Sequence, residues 1–465
     1  MDSMDSFANA GALQQVGSLL PSSIVFDAAQ PAWDKIPAEP GVFALFAADL
    51  TAEPYISRTP NLRRRIRRLL DPGHRDSSAQ IRAGESDLGG LSPNAKFSKR
   101  LQLAGRVARM EYALTASDFE ALLCLYQASC SAFGDRTRKR LHLRPPSLLR
   151  LTVENAYPRV YPTSHLTKSA KDDLYGPFPS RAAAEKFLED MLDLFKLRRC
   201  HDELHPDPAF PGCVYSEMKK CLAPCFKGCT DERYAEEAAA VRSFLRTRGA
   251  SLVDALRRER ESASALLEFE KAAELHTRVA RAESVAAEVP EAVRPLAHLD
   301  AVIVQPAAEP EHVALFRLAQ GWLRGPAFYS VAGMRHPNEA AGSTSLFAQP
   351  VGMMEAVPIS GPPVTLASRD ELEQRLEQSL TAITPSPEPR SRRRAAHDAA
   401  RHGALADHLC LFARWYYRPL AKRTGEIVFA AEDGSIALKP VLRAISRVYR
   451  AAQGVTPPDG PARAG

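Results

Sequence analysis

Five cysteines fall between positions 200 and 229 of a 465-residue chain that carries eight in all. Cys200, Cys213, Cys221 and Cys225 are separated by twelve, seven and three residues, and Cys229 follows after three more. Thiols crowded into one loop constrain the local fold more than any other feature here. In a reducing compartment such a cluster reads as a metal site before it reads as disulfides. Four thiolates from one loop can hold an iron–sulfur cluster or a tetrahedral zinc ion. Zinc knuckles usually use C-x2-C, whereas the short spacing here is C-x3-C, with His201 and His205 nearby. Spacing alone leaves iron, zinc and unliganded thiols open. Cys124, Cys130 and Cys410 are scattered in apolar surroundings and read as buried thiols.

The length calls for two to four domains rather than one core. A net charge of +6 is mildly basic. It suits nucleic acid without demanding it, because charge placement matters more than the total. No run of 18 apolar residues offers a membrane span, and the first residues lack a basic segment followed by an apolar one. The expectation is a cytoplasmic protein with no membrane partner.

Residues 1–35 read as a loose lead-in with slight helical character. From 36 to 145 the pattern is ββαβα: strands in GVFALF and PYIS, a helix in NLRRRIRRLL, a strand in VARMEYAL and a helix in SDFEALLCLYQASCSAF. Ser117 and Glu120 are placed as a capping box for that last helix. A connecting region with two strands follows over 146–196, then the cysteine-rich segment over 197–231. Residues 232–290 are almost all helix formers with one break at Arg248-Gly249-Ala250, which suggests an antiparallel pair. Strands resume in a partial α/β region over 296–383. The Pro/Arg-rich TPSPEPRSRRR then precedes a basic, mostly helical segment over 395–453.

Two further features carry chemistry. In RESASALLEFEKAAELHTRVARAE, Leu266, Phe269, Ala273 and Ala280 share one stripe, widened by Leu275 and Val279. Such a stripe serves either to pack two helices together or to receive a partner helix. The second feature is EPYISRTPNLRRRIRRLL. Arg63, Arg64, Arg67 and Arg68 read as a solvated basic face or a phosphate-binding patch. RTRKR at 136–140 and RSRRR at 390–394 add basic clusters, and Trp415-Tyr416-Tyr417 reads as core more readily than as a DNA-stacking platform.

These features, in this order, resemble the UvrC family, the incision component of the bacterial excinuclease ABC. PGVF at 40–43, PYIS at 54–57 and NLRRRI resemble its GIY-YIG nuclease domain. YPRVYPTSHL, LYGPFPS and LFKLRRC resemble its connecting region. CLAPC resembles the family's cysteine motif. The resemblance implies that Cys200, Cys213, Cys221 and Cys225 hold a 4Fe–4S cluster, with zinc as the alternative. LEFEKAAELHTRV resembles the UVR motif, a helical hairpin that binds the B subunit. This implies a partner surface of Leu267, Phe269, Glu270, Ala273 and Leu275, with His276-Thr277 where the family usually has Arg-Asp. Double-stranded DNA is the other implied partner.

The family's nuclease cuts a phosphodiester with an activated water, a divalent cation and an arginine on the phosphate. The resemblance places Tyr55 at one motif tyrosine, Arg65 at the phosphate-facing arginine and Arg58 at the lysine; these are the candidate catalytic residues. Phe43 stands for the first tyrosine, Ser57 for the motif glycine, Leu125 for the metal-binding glutamate and His142 for the closing asparagine. Mg²⁺ belongs here only if the site is active, and the substitutions point to a degenerate one. No second, RNase H-like carboxylate set and no helix-hairpin-helix is recognisable, and Asp300 has no evident partner. The expected fold is α/β: a small GIY-YIG-like α/β module, a Cys-rich metal-cluster loop, a UVR helical hairpin and a mixed α/β C-terminal region. The expected function is a repair factor that binds DNA and the B subunit. An active endonuclease making the 3′ incision and a metal-cluster scaffold outside repair are the alternatives.

Overall fold

A computed structural model describes residues 18–25, 33–49, 51–70, 106–166, 171–201, 203–334, 367–384 and 396–454. The architecture is mixed α/β, built on three four-stranded sheets whose described strand pairs are antiparallel. The chain divides into two compact units, Met1–His142 with Pro306–Pro310, and Leu143–Gln305 with Glu311–Gly465.

In the first unit the strands β1 (Ser22–Val25), β2 (Gly41–Ala47), β3 (Tyr55–Thr59) and β4 (Val107–Leu114) form a sheet in the order β1-β4-β2-β3. Helix α1 (Leu62–Leu70) covers one face, and α2 (Asp118–Phe133) covers the other. The alternation of side chains along a strand sorts the two cores. Phe43, Leu45 and Met110 pack with Leu62 and Ile66 on the α1 side. Val42 and Ala44 pack with Ala121, Leu125 and Ala128 on the α2 side. Gly41 explains the glycine of PGVF: a Cβ there would lie 2.5 Å from the Ala113 carbonyl and 2.9 Å from Leu62. Strand β1 departs from the loose lead-in read from the sequence. It pairs with β4, and the buried Glu111 carboxylate accepts hydrogen bonds from the backbone of Leu19 and Leu20 at 2.6 and 3.2 Å. The polar, serine-rich sequence hid a strand that long-range pairing creates.

In the second unit β5 (Ser147–Leu151), β6 (Val160–Thr163), β7 (Leu174–Phe178) and β8 (Arg294–Pro295) form a sheet ordered β6-β5-β7-β8. Helix α3 (Arg181–Leu192) starts at the Ser180 cap and buries Phe187 and Met191 in the same core as Leu149 and Tyr175. Three helices follow where the sequence suggested two: α4 (Asp231–Arg246), α5 (Ala250–Ala265) and α6 (Phe269–Ala287). The second break, at Leu266–Glu268, lies in a run of good helix formers with no glycine or proline to announce it. Helix α4 packs into the sheet core through Tyr234, Val241 and Phe244, so the hairpin is α5–α6 alone. The third sheet runs β11-β10-β9-β12, from β9 (Ala301–Pro306), β10 (His312–Ala319), β11 (Trp322–Ser330) and β12 (Glu426–Phe429). Helices α7 (Arg369–Ala382) and α9 (Leu438–Ala452) close its core through Leu376, Val441 and Ile445. Between them in sequence runs α8 (Ala396–Tyr416). Strand β12 lies inside a segment read as helical. No helix of the described residues is long and apolar enough to cross a membrane. The RSRRR cluster at 390–394 lies outside the described residues.

Candidate functional site

Antiparallel register decides which motif residues of the first unit share a face. Phe43 lies opposite Ser57, and Leu45 opposite Tyr55, so these four point to the α1 side. The Phe43 and Tyr55 ring centroids are 6.1 Å apart, and Tyr55 is half-buried against Leu62 and Ile66. Arg65 stands half-buried on α1. Arg58 alternates to the other face, where its Nη1 lies 3.2 Å from the Asp118 carboxylate. Tyr55 and Arg65 therefore belong to one side of the sheet, and Arg58 is occupied on the other. His142 has a left-handed backbone (φ 49°), a conformation that asparagine also tolerates well.

Leu125 is a core residue. It packs with Val42, Ala44, Ala121 and Ala128 beneath the sheet face opposite Tyr55. A carboxylate at this position would be buried without a donor. Leu125→Glu is therefore expected to cost about 3 kcal/mol or more of stability and to create no cation site. A urea melt of the variant checks the first half, and Mn²⁺ titration the second.

Three carboxylates near this helix, Glu53, Asp118 and Glu120, are engaged. Glu53 pairs with Arg136 at 2.5 Å and with Arg140, and Asp118 pairs with Arg58. Glu120 Oε2 accepts from the backbone of Ala116 at 2.9 Å, while Ser117 Oγ accepts from Glu120 N at 3.1 Å. The cap expected from Ser117 and Glu120 is present, with the glutamate reaching one residue beyond the box. Burial raises the Glu120 carboxyl from 4.5 to about 7, against the lowering effect of its backbone donors. A carboxyl whose folded pKa is raised stabilises the fold fully below its unfolded pKa. That contribution is lost as pH climbs through the folded pKa, here between about 4.5 and about 7. The loss amounts to about 3 kcal/mol. Glu120→Gln, which keeps the acceptor, is expected to flatten this pH dependence and to raise stability at pH 8, read from denaturant midpoints across pH.

The arginines of α1 divide by use. Arg63 Nε donates to the Ile36 carbonyl at 2.7 Å and Nη2 to Asp34 O at 3.3 Å, so this side chain ties helix to loop. Arg64, Arg67 and Arg68 are exposed along the outer face. The sequence grouped all four as a phosphate patch; three of them present to solvent. In the RTRKR cluster, Arg136 and Arg140 are spent on Glu53, and Arg140 also lies 3.9 Å from the Phe133 ring centroid.

Within the cysteine-rich segment the five thiols are half-buried. Burial raises Cys221 to about 11, and the thiols of Cys200, Cys213 and Cys225 act on it in the same direction. The backbone N–H of Ala223 donates to Cys221 Sγ at 3.3 Å, and Arg198 lies 3.8 Å from Cys200 Sγ. Left-handed residues at Ala223 and Lys227 turn the chain about Cys221 and Cys225. Cys229 is influenced by Asp231 and Cys225 rather than by the whole set. His201 is engaged by Arg159, at 2.7 Å from Nδ1. Among the described residues no three His, Cys, Asp or Glu side chains are drawn together tightly enough for one metal ion.

The α5–α6 hairpin is held by Val253, Leu256, Leu275, Val279 and Ala282. Its tip is apolar and bare: Leu266, Leu267 and Phe269 are 67, 70 and 69% exposed. Glu270 and Ala273 are exposed beside them. Leu275 faces inward, which corrects its placement in a partner surface, because the stripe read as continuous splits between an inner and an outer face of α6.

Over residues 147–244, which hold β5, β6 and β7, α3, the cysteine-rich segment and most of α4, the chain matches a family model described as UvrC/Cho excinuclease, middle domain. The UvrABC system protein C of Idiomarina loihiensis is 32% identical over 187 residues, 38% of this chain and 29% of that protein. Its counterpart in Pseudomonas entomophila is 30% identical over 250 residues, 52% of this chain and 36% of that one. Over about half of its length the chain is similar to proteins of the UvrC family. It spans about a third of the length of the UvrC relatives it matches. No solved structure matches.

The second unit holds two features that the sequence hid, the partner of Asp300 and a cavity, and one that it indicated, the packing of the consecutive aromatics. Asp300 has a partner, Arg317 at 3.3 Å on β10, so its carboxylate is spoken for. Trp415 is buried and donates to Thr424 O at 3.0 Å, while Tyr417 donates to Pro177 O at 2.7 Å, which makes two of the three consecutive aromatics structural. An arginine-lined cavity joins the α4–α5 corner to the loop after β12.

Proposed function

We propose that this chain acts in nucleotide excision repair, as a UvrC-family factor that binds DNA and the B subunit without cutting. The observation that carries the reading is the match of the middle domain to the excinuclease family beside a hairpin whose apolar tip is uncovered. An exposed Leu–Leu–x–Phe tip is a costly surface in an isolated protein and suits a second amphipathic hairpin. Arg64, Arg67 and Arg68 would neutralise DNA phosphates, with Arg65 and Tyr55 nearby on the same module. Loss of cutting is supported by three features: the buried Leu125, the occupied Arg58, and Phe43 where a tyrosine hydroxyl would serve. Cys200, Cys213, Cys221 and Cys225 would hold an iron–sulfur cluster, which when bound would pin the loop between α3 and α4.

Titration of the full chain with purified B subunit and with a duplex oligonucleotide tests the reading. Binding to both is expected. Failure to bind either would favour a metal-cluster scaffold outside repair.

A further inference from the structure

Between α4 and α5 the chain turns through Thr247, Arg248 and Gly249. This corner, the start of β8 and the loop after β12 enclose a cavity of about 280 Å³ lined by Arg246, Thr247, Arg248, Arg294, His298 and Glu432. Gly249 is required by the turn: its φ is 95°, and a Cβ would lie 2.4 Å from that of Ala286. Arg248 precedes it with φ 52°. Glycine or asparagine would hold that conformation at lower cost, so its backbone favours another residue. Its Nε is buried with no hydrogen-bond partner, while Nη2 reaches Val289 O at 3.4 Å.

Arg294 is fixed beside it. The side chain is 17% exposed, lies 4.7 Å from the Phe429 ring centroid, and donates to Glu291 O at 3.1 Å and to Ala430 O at 2.8 Å. Burial lowers its pKa, partly opposed by Glu291 and reinforced by the charge of Arg248. Two like charges are thus held together, with Arg246 and His298 also lining the cavity and Glu291 and Glu432 to offset them. Guanidinium groups converging on one cavity, one of them clamped in place, are the arrangement that receives a tetrahedral oxyanion.

We propose that this cavity binds a phosphate group, through Arg248 and Arg246 against the fixed Arg294. The group is either a backbone phosphodiester of DNA or a free phosphate compound. Only the DNA source rests on the proposed function; phosphate binding itself does not.

The test uses the full chain with pyrophosphate as the probe, measured by calorimetry, and a duplex in parallel. Arg248→Asn suits the left-handed backbone and should fold as well as wild type. It is expected to weaken pyrophosphate binding about tenfold or more, with Arg248→Lys in between. If the bound group is a DNA phosphate, Arg248→Asn and Arg246→Gln should each lower the salt slope of duplex binding by about 1. Pyrophosphate binding lost in Arg248→Asn with an unchanged salt slope supports a free phosphate ligand. Equal pyrophosphate affinity in wild type and Arg248→Asn, or no binding by either together with an unchanged salt slope, overturns the proposal. A wild type that binds pyrophosphate but no duplex contradicts the proposed function and leaves the pocket standing.

Discussion

Leu267→Asn is expected to leave the chain at least as stable as wild type and to weaken its hold on the B subunit about thirtyfold. The two halves of this expectation have different causes. Leu267 is 70% exposed and has φ 60°, so the fold gains little from its side chain and carries backbone strain because of it. Asparagine tolerates that conformation better. What the leucine offers is apolar surface at the centre of the tip, between Leu266 and Phe269. Central apolar anchors of an interface are worth about 2 kcal/mol or more each, close to a thirtyfold change in affinity. Phe269→Ala should behave alike, being equally exposed. A surface-immobilised B subunit titrated with each variant, beside thermal melts, reads both halves. Unchanged affinity in both variants would remove the hairpin tip from the partner surface.

Cys221→Ser carries the second large expected effect. The thiol lies where Cys200, Cys213 and Cys225 all act on it, and burial holds it protonated near neutral pH. A cation is what makes four such groups ionise together, so metal binding and folding of this loop are expected to be one event. The variant should lose bound iron and sulfide and the visible absorption of the cluster. It should also lose on the order of 5 kcal/mol from the second unit. Cys229→Ser, outside the mutual set, should retain both. Metal analysis of anaerobically purified wild type decides between iron and zinc, and absence of both would leave four unliganded thiols.

The sequence was most legible where periodicity and turn chemistry are strong. Strands β2, β3 and β4 and helices α1 and α2 follow their apolar spacing closely. It failed where long-range partners decide. Strand β1 exists because β4 offers an edge and Glu111 offers a buried acceptor to Leu19 and Leu20. The break at Leu266–Glu268 carries no glycine, so a strained leucine was invisible as a turn. At the candidate site the crowding of the cysteines was legible from count and spacing. The meaning of Leu125 was not: the resemblance to the family placed it in a motif, and only the fold shows that it sits in the core on the far side of the sheet from Tyr55. The pairings of Arg58 with Asp118, and of Asp300 with Arg317, join residues 60 and 17 positions apart that no local pattern links.

The most direct measurement is nicking of a damaged, labelled duplex in Mg²⁺ or Mn²⁺, with the B subunit loaded by the A subunit. The expected result is no incision by this chain while its binding to DNA and to the B subunit persists. Cutting by wild type that disappears in Tyr55→Phe and in Arg65→Ala would contradict this, and would show that the α1 face of the module is a working nuclease site.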